Sequence, residues 1–198
     1  MAQQPPGAGK SSFDLIDQEL LFRKLALSPD DVLLDLGCGR GNYSFAAAGH
    51  IHKAGAIHAV DLWAEGVAAV ETRAREKGCR QIQAHHVDAS DALPLADHSV
   101  DLCLIATVLH DLVVADKHRG ALAEIVRVLK PGGQLAIVEF EKIDGPPGPP
   151  RHIRLAPADL EALLAPHGFS AEALTPLGPE LYLAQFQWRR ERTGRSAP

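Results

Sequence analysis

The sequence predicts a doubly wound α/β domain with a parallel sheet, and three observations carry that expectation. Short β-rich runs alternate with segments of helical length. Several of these runs are apolar on both faces, as strands covered by helices on each side must be. A glycine-rich turn joins the first run to a helix start, at the edge where open α/β sheets bind ligands. The runs are DVLLDL (31–36), AIHAVDL (56–62), QIQAHHV (81–87), VDLCLIA (100–106) and GQLAIVEF (133–140), with AEGVAAVETRAREKG (64–78) and KHRGALAEIVRVLK (117–130) as helical segments between them.

Ahead of the first strand, SFDLIDQELLFRKLAL (12–27) reads as an amphipathic helix with Phe13, Ile16, Leu20 and Leu21 on one side. A second helix, APADLEALLAPHGF (156–169), has Pro157 and Asp159 in its first turn and stops near Gly168. Two further runs, SAEALTPL (170–177) and LYLAQFQW (181–188), are separated by little more than Gly178-Pro179. A connection that short makes the pair antiparallel, because a parallel partner needs a crossover of a dozen or more residues. Five parallel strands followed by a reversal are therefore expected.

At 198 residues and 46% hydrophobic composition the chain has the length of one domain with a sizeable core. Residues 12–188 are assigned to it, with a Pro/Gly-rich polar tail at 1–11 and a polar, partly basic tail at 189–198. The net charge of −5 argues against a phosphate backbone as the main partner. Three cysteines without CxxC spacing suggest neither a disulfide framework nor a zinc site, and fit a reducing cytoplasm. MAQQPPGAGK lacks an apolar core of signal-peptide length, and no run approaches the roughly 18 apolar residues of a membrane span.

The most informative motif is LLDLGCGRGNYS (33–44). A strand closes near Asp35, glycines follow at 37, 39 and 41, and a helix begins near Asn42, so backbone N–H groups can approach a ligand closely. A dinucleotide fingerprint wants GxGxxG, but Asn42 occupies the third glycine's place and Asp35 would repel a pyrophosphate. The loop suits a cationic nucleoside instead. Asp61, at the next strand tip, is placed to accept both hydroxyls of a ribose, with Leu62 and Trp63 beside it to wall an adenine. Asp88 ends the following strand, where it can accept from an adenine amino group while the Ala89 N–H faces a ring nitrogen. Each acid alone also reads as a cap or turn residue; three at successive strand tips mark a ligand edge.

These residues resemble the class I S-adenosylmethionine-dependent methyltransferases. The matching stretches are DLGCGRG, the VD at 60–61, VDASDALPLADHSVDLCLIATVLHDL and RVLKPGGQLAIVEF, within a resemblance covering roughly Asp14 to Trp188. It implies a seven-stranded sheet of order 3-2-1-4-5-7-6 with strand 7 antiparallel and helices on both faces. S-adenosyl-L-methionine is the implied cofactor, held by Asp35, Gly37, Gly39, Gly41, Tyr43, Asp61, Leu62, Trp63, Asp88, Ala89 and Thr107. Within the family the chain looks like the small-molecule group that contains quinone C-methyltransferases and arsenite methyltransferases. Cys38, Cys79 and Cys103 lie in the loop, at a helix end and inside a strand, so they do not converge on one arsenic atom.

The acceptor belongs at ATVLHDL (106–112), which lacks the Asn/Asp-Pro-Pro-aromatic stretch of base amino methyltransferases. The implied partner is a small-molecule acceptor, with no nucleic acid and no membrane span; no motif fixes an oligomeric state. His110 reads as a base for an acceptor proton or as packing over the cofactor, and Asp111 as a helix-start residue. Of ten histidines, His50/His52 and His85/His86 point to different faces of their elements, and no metal site is expected. Residues 141–156 carry Gly145-Pro-Pro-Gly-Pro-Pro150, a stiff segment with glycine pivots; too little chain follows for a second domain, so it reads as a lid. Arg151 and Arg154 on its far side face an acidic acceptor or solvent. The alternative to an enzyme is a cofactor-binding protein without turnover; a nicotinamide-dependent oxidoreductase ranks third.

Overall fold

In the computed structural model, which describes residues 7–52 and 54–189, the alternation builds one sheet. Its strands are β1 (Val32–Leu36), β2 (Ala56–Asp61), β3 (Ile82–His86), β4 (Val100–Ala106), β5 (Leu129–Phe140), β6 (Phe169–Pro176) and β7 (Leu181–Trp188). They lie in the order β3-β2-β1-β4-β5-β7-β6. The first five pair in parallel, and β7 is antiparallel to both its neighbours, as expected from the short turn before it. The helices are α1 (Gln18–Leu25), α2 (Asn42–Ala47), α3 (Ala64–Lys77), α4 (Leu109–Val114), α5 (His118–Val128) and α6 (Pro157–Leu164). Residues 1–6 and 190–198, and with them most of both expected tails, lie outside the described residues. Among those described, no helix is long and apolar enough to cross a membrane.

Because strand side chains alternate, each central strand feeds two cores. Leu34, Leu36, Cys103, Ile105 and Ile137 pack against Leu109, Leu122, Ile125 and Leu160 of the helices on one face. Leu33, Ile57, Leu102, Leu104 and Val138 pack against Leu21, Phe22 and Val70 on the other. Burying each such side chain contributes about 1.5–3 kcal/mol, which favours covering both faces. Asp35 shares the face of Leu33, so it points into the second core among apolar neighbours.

The amphipathic helix expected at 12–27 is shorter than its periodicity suggested. Phe13–Leu15 form a single 3₁₀ turn, Ile16 is extended, and Asp17 accepts the Leu20 N–H at 2.8 Å to cap a helix that starts at Gln18. An aspartate offering this bond competes with continued helix, which the apolar spacing alone does not register. The buried face is consequently Leu21, Phe22 and Leu25.

The β3–β4 connection carries no regular element and is held by side chains. Arg127 donates to the Leu93 and Leu95 carbonyls, Asp97 and Glu124, while Glu124 accepts the Leu93 N–H. At the other edge, Tyr182 donates its hydroxyl to the Leu155 carbonyl at 2.6 Å, tying β7 to the approach of α6. Tyr182→Phe leaves that buried carbonyl unpaired and should cost about 1–3 kcal/mol, read as a lower urea midpoint at unchanged slope.

Five parallel strands bring their C-terminal ends to one edge. The segments that leave that edge are 37–41, 61–63, 87–90, 107–109 and 141–156, and every residue expected at a site lies on or beside one of them.

Candidate functional site

The turn after β1 is shaped by glycines in the left-handed region: φ is +81° at Gly37, +54° at Gly39 and +76° at Gly41. The Gly37 and Cys38 N–H groups donate to the Val60 carbonyl of β2, and Gly41 N–H donates to Cys38, which closes the turn. A Cβ on Gly37 would stand 2.5 Å from Val108, and one on Gly41 2.9 Å from Val70. At Gly39 it would meet nothing within 4 Å, so of the three Cβ positions this one borders open space. A fourth glycine, Gly66 in α3, escaped the sequence reading. Its hydrogen stands where a Cβ would be 2.7 Å from the Gly39 carbonyl, so it lets α3 approach the turn.

Behind the turn Asp35 is 1% exposed and accepts the Ser44 hydroxyl at 2.5 Å. Burial, reinforced by the negative charge of Asp61, pushes its carboxyl up from 3.8 to about 6 despite that bond. Asp61 grips the turn from β2: one oxygen accepts the Gly39 N–H at 2.7 Å, the other the Trp63 N–H at 2.8 Å. Each carboxylate oxygen retains a lone pair for a hydroxyl. Leu62 is exposed, as a wall residue needs to be, whereas Trp63 is buried, with Arg40 over its ring at 5.2 Å.

Asp88 lies two residues beyond β3 and is engaged by protein groups. Ser90 donates from N–H and hydroxyl to one oxygen, and Lys117 pairs with the other. Burial opposes its ionisation, but the bonds from Lys117 and Ser90 outweigh this and hold the carboxyl below its ordinary range. Lys117 sits ahead of α5, 29 residues away, and nothing in the sequence spacing signals the pair. Ala89 is half-buried beside it.

Thr107 follows β4 with φ +55° and donates its N–H to Val138 at 2.8 Å. Its hydroxyl lies 3.2 Å from that of Ser12, which is 2.8 Å from the Tyr43 hydroxyl. Residues 7–12, read from sequence as mostly tail, form a turn through the Lys10 N–H and Gly7 carbonyl. Gly9 lies against Trp63 and Gly7 against Asp111, so this segment connects the residues around the edge.

His110 stands in the first turn of α4 and is 5% exposed. Its Nδ1 lies 3.0 and 2.9 Å from the two carboxylate oxygens of Glu139, and its own backbone N–H donates to Glu139 at 3.2 Å. Glu139, fully buried near the end of β5, is marked in the sequence only as the one acid within an apolar run. Burial favours the neutral ring, but the bond and charge of Glu139 outweigh it and raise the pKa of His110.

Of the two arginines expected beside the acceptor, Arg151 is exposed and donates to the Lys142 carbonyl at 3.1 Å. Arg154 takes a place other than the acceptor-facing one expected for it. It is 1% exposed, and its guanidinium donates to the carbonyls of Pro149, Glu141, Gly145 and Pro147. The reason is the composition of residues 145–150, since prolines offer carbonyls but no N–H to pair with one another.

A glycine turn backed by Asp35, an acid at the tip of the neighbouring strand that holds that turn, and the β3-β2-β1-β4-β5-β7-β6 order define a methyltransferase-type α/β domain. Comparison with known proteins gives the same class: the chain belongs to the Methyltransferase domain family, whose profile matches residues 34–137, just over half of it. Over 120 residues it is 34% identical to the ubiquinone/menaquinone biosynthesis C-methyltransferase UbiE of Hydrogenovibrio crunogenus, covering 61% of this chain and 46% of that protein. It is 32% identical over 126 residues to the demethylmenaquinone methyltransferase of Lactobacillus johnsonii, covering 63% and 50%. The chain thus spans about half the length of the curated relatives it matches. A SAM-dependent methyltransferase structure from Aquifex aeolicus shares the fold with a TM-score of 0.81 at 23% identity, over 90% of this chain and 93% of that one.

S-adenosylmethionine is the cofactor this family implies, and the residues present fit it. The open apex at Gly39 borders the Asp61 carboxylate, and Asp35 behind the turn adds a second acid, so the edge favours a cation over a pyrophosphate.

Proposed function

We propose that the protein transfers a methyl group from S-adenosylmethionine to a small-molecule acceptor by in-line displacement. The observation that carries this reading is the Asp61 carboxylate: it fixes the glycine turn through Gly39 while keeping free lone pairs beside the open apex. Asp35 and the backbone of Gly37, Gly39 and Gly41 hold the methionine portion, Asp61 the ribose, and Leu62, Asp88 and Ala89 the adenine. Tyr43 and Thr107, linked through Ser12, border the methionine side, and Trp63 supports the adenine wall from beneath. Bound there, the cofactor supplies an electrophilic methyl carbon on a positively charged sulfur, and the protein's task is alignment and exclusion of water.

The acceptor lies between His110 and the 141–156 segment, which acts as a cover with Arg151 on its rim. A quinol-type acceptor is supported by similarity to the two quinone-pathway relatives. The net charge of −5 supports a small molecule rather than nucleic acid, and three free thiols support a reducing cytoplasm.

Asp61→Ala is the direct test. Losing two hydrogen bonds to a charged group removes about 3–5 kcal/mol, so affinity for S-adenosylmethionine should fall at least about 100-fold by calorimetry. Unchanged affinity overturns the site. Tight cofactor binding without transfer of labelled methyl to any small-molecule extract would favour a binding protein without turnover.

A further inference from the structure

We propose that Glu139 is a positioning residue that fixes the His110 ring with its proton on Nδ1, leaving Nε2 as a base for an acceptor that must lose a proton to be methylated. This rests on the methyltransferase reading and narrows its substrate class to phenol- or enol-type nucleophiles. Glu139 is fully buried in the apolar run Ala136-Ile137-Val138-Glu139-Phe140, where an unpartnered carboxylate would be costly. Its partners are His110 and the Phe140 N–H at 3.3 Å. Both carboxylate oxygens lie within bonding distance of Nδ1, so that nitrogen serves as the donor and Nε2 keeps the lone pair.

The charged and titratable groups around the ring come from four elements. Glu139 belongs to β5, and Asp111, 3.7 Å from Nε2, to α4 itself. Arg154 of the 141–156 cover opposes protonation of His110, and Tyr182 of β7 stands opposite Glu139 in register. A phenol or enol is mostly protonated and weakly nucleophilic near neutrality, so a fixed base matters for it, whereas an amine attacks with a lone pair it already has. In the step, the acceptor proton moves to Nε2 and the pair freed on the acceptor forms the bond to the methyl carbon. The C–S pair stays with sulfur as a neutral thioether, and Glu139 offsets the imidazolium formed.

The test combines ring NMR with kinetics. In protein labelled with [15N]histidine, with His110 assigned by its loss in His110→Gln, the neutral ring should carry its proton on Nδ1 and titrate above the ordinary imidazole value. In Glu139→Gln the midpoint should fall so that proton affinity drops about tenfold or more, and the acid limb of kcat should move with it. Using hydroquinone and aniline as probes, kcat for hydroquinone should fall roughly 10²-fold in the variant, with acceptor KM nearly unchanged. A wild-type ring protonated on Nε2, a titration and acid limb unmoved in the variant, or transfer to aniline but not hydroquinone each overturns the proposal. If Glu139→Gln fails to bind S-adenosylhomocysteine, Glu139→Asp and the wild-type tautomer decide. Binding without label transfer in wild type sinks the enzymatic reading, and the ring titration still decides the contact.

Discussion

Arg154→Ala should cost about 3–5 kcal/mol of stability and open residues 141–156 to proteolysis, because one buried side chain donates to four carbonyls of a proline-rich segment that is short of N–H groups. Pro146, Pro147, Pro149 and Pro150 contribute no N–H, and Arg154 supplies donors to Glu141, Gly145, Pro147 and Pro149 from within the fold. The ring of Phe140 packs under both the guanidinium, 5.4 Å from its carbon, and Gly148, where a Cβ would approach within 2.8 Å. For a chain of this size the loss corresponds to a drop of about 10 °C in Tm. Arg154→Lys keeps the charge but presents three donors from one point, so it should recover only part of the loss. A melting point within a degree of wild type, together with unchanged protease resistance, would show that the segment is held by other contacts.

Asp35→Asn should stabilise the cofactor-free protein at pH 8 by up to about 3 kcal/mol and leave it nearly unchanged at pH 4, while weakening S-adenosylmethionine binding. The sign follows from the direction of the shift. The carboxyl is raised from 3.8 to about 6 chiefly by burial, so the folded state binds the proton more tightly than the unfolded chain does. The penalty for ionised Asp35 is absent below the unfolded value, develops between 3.8 and about 6, and is complete above. Asparagine carries no such charge and can still accept from Ser44. In the wild type a bound cation favours the ionised form, so affinity should fall about tenfold per pH unit below that midpoint. Thermal melts at the two pH values, paired with calorimetry across the same range, check both halves. Equal effects of the substitution at pH 4 and pH 8 would exclude Asp35 as a charged ligand group.

The two experiments probe one arrangement from opposite sides. Asp35, whose ionisation burial opposes, is expected to destabilise the folded chain when charged, the pattern of a site that places function ahead of stability. Arg154 is a buried charge with matched partners, and its removal rather than its presence is costly.

The alternation of apolar runs, the reversal at Gly178-Pro179 and the spacing of Gly37, Gly39 and Gly41 are local properties of the chain. They determined the parallel strands and the antiparallel ending, while the strand order followed from the family resemblance. Periodicity failed at Asp17, whose capping bond ends the helical pattern before it, and at Leu129 and Lys130, which continue the helical run 117–130 in sequence but open β5 in the fold. The side-chain pairings around the candidate site are different in kind. Glu139 with His110, Lys117 with Asp88, Ser12 with Tyr43 and Thr107, and Arg154 with the carbonyls of the 141–149 stretch join residues whose separation in sequence carries no period. Secondary structure follows from torsional preference and side-chain spacing within a few residues, so one sequence encodes it legibly. Which buried donor meets which acceptor depends on how the sheet and its covering segments pack, and only the tertiary structure settles that.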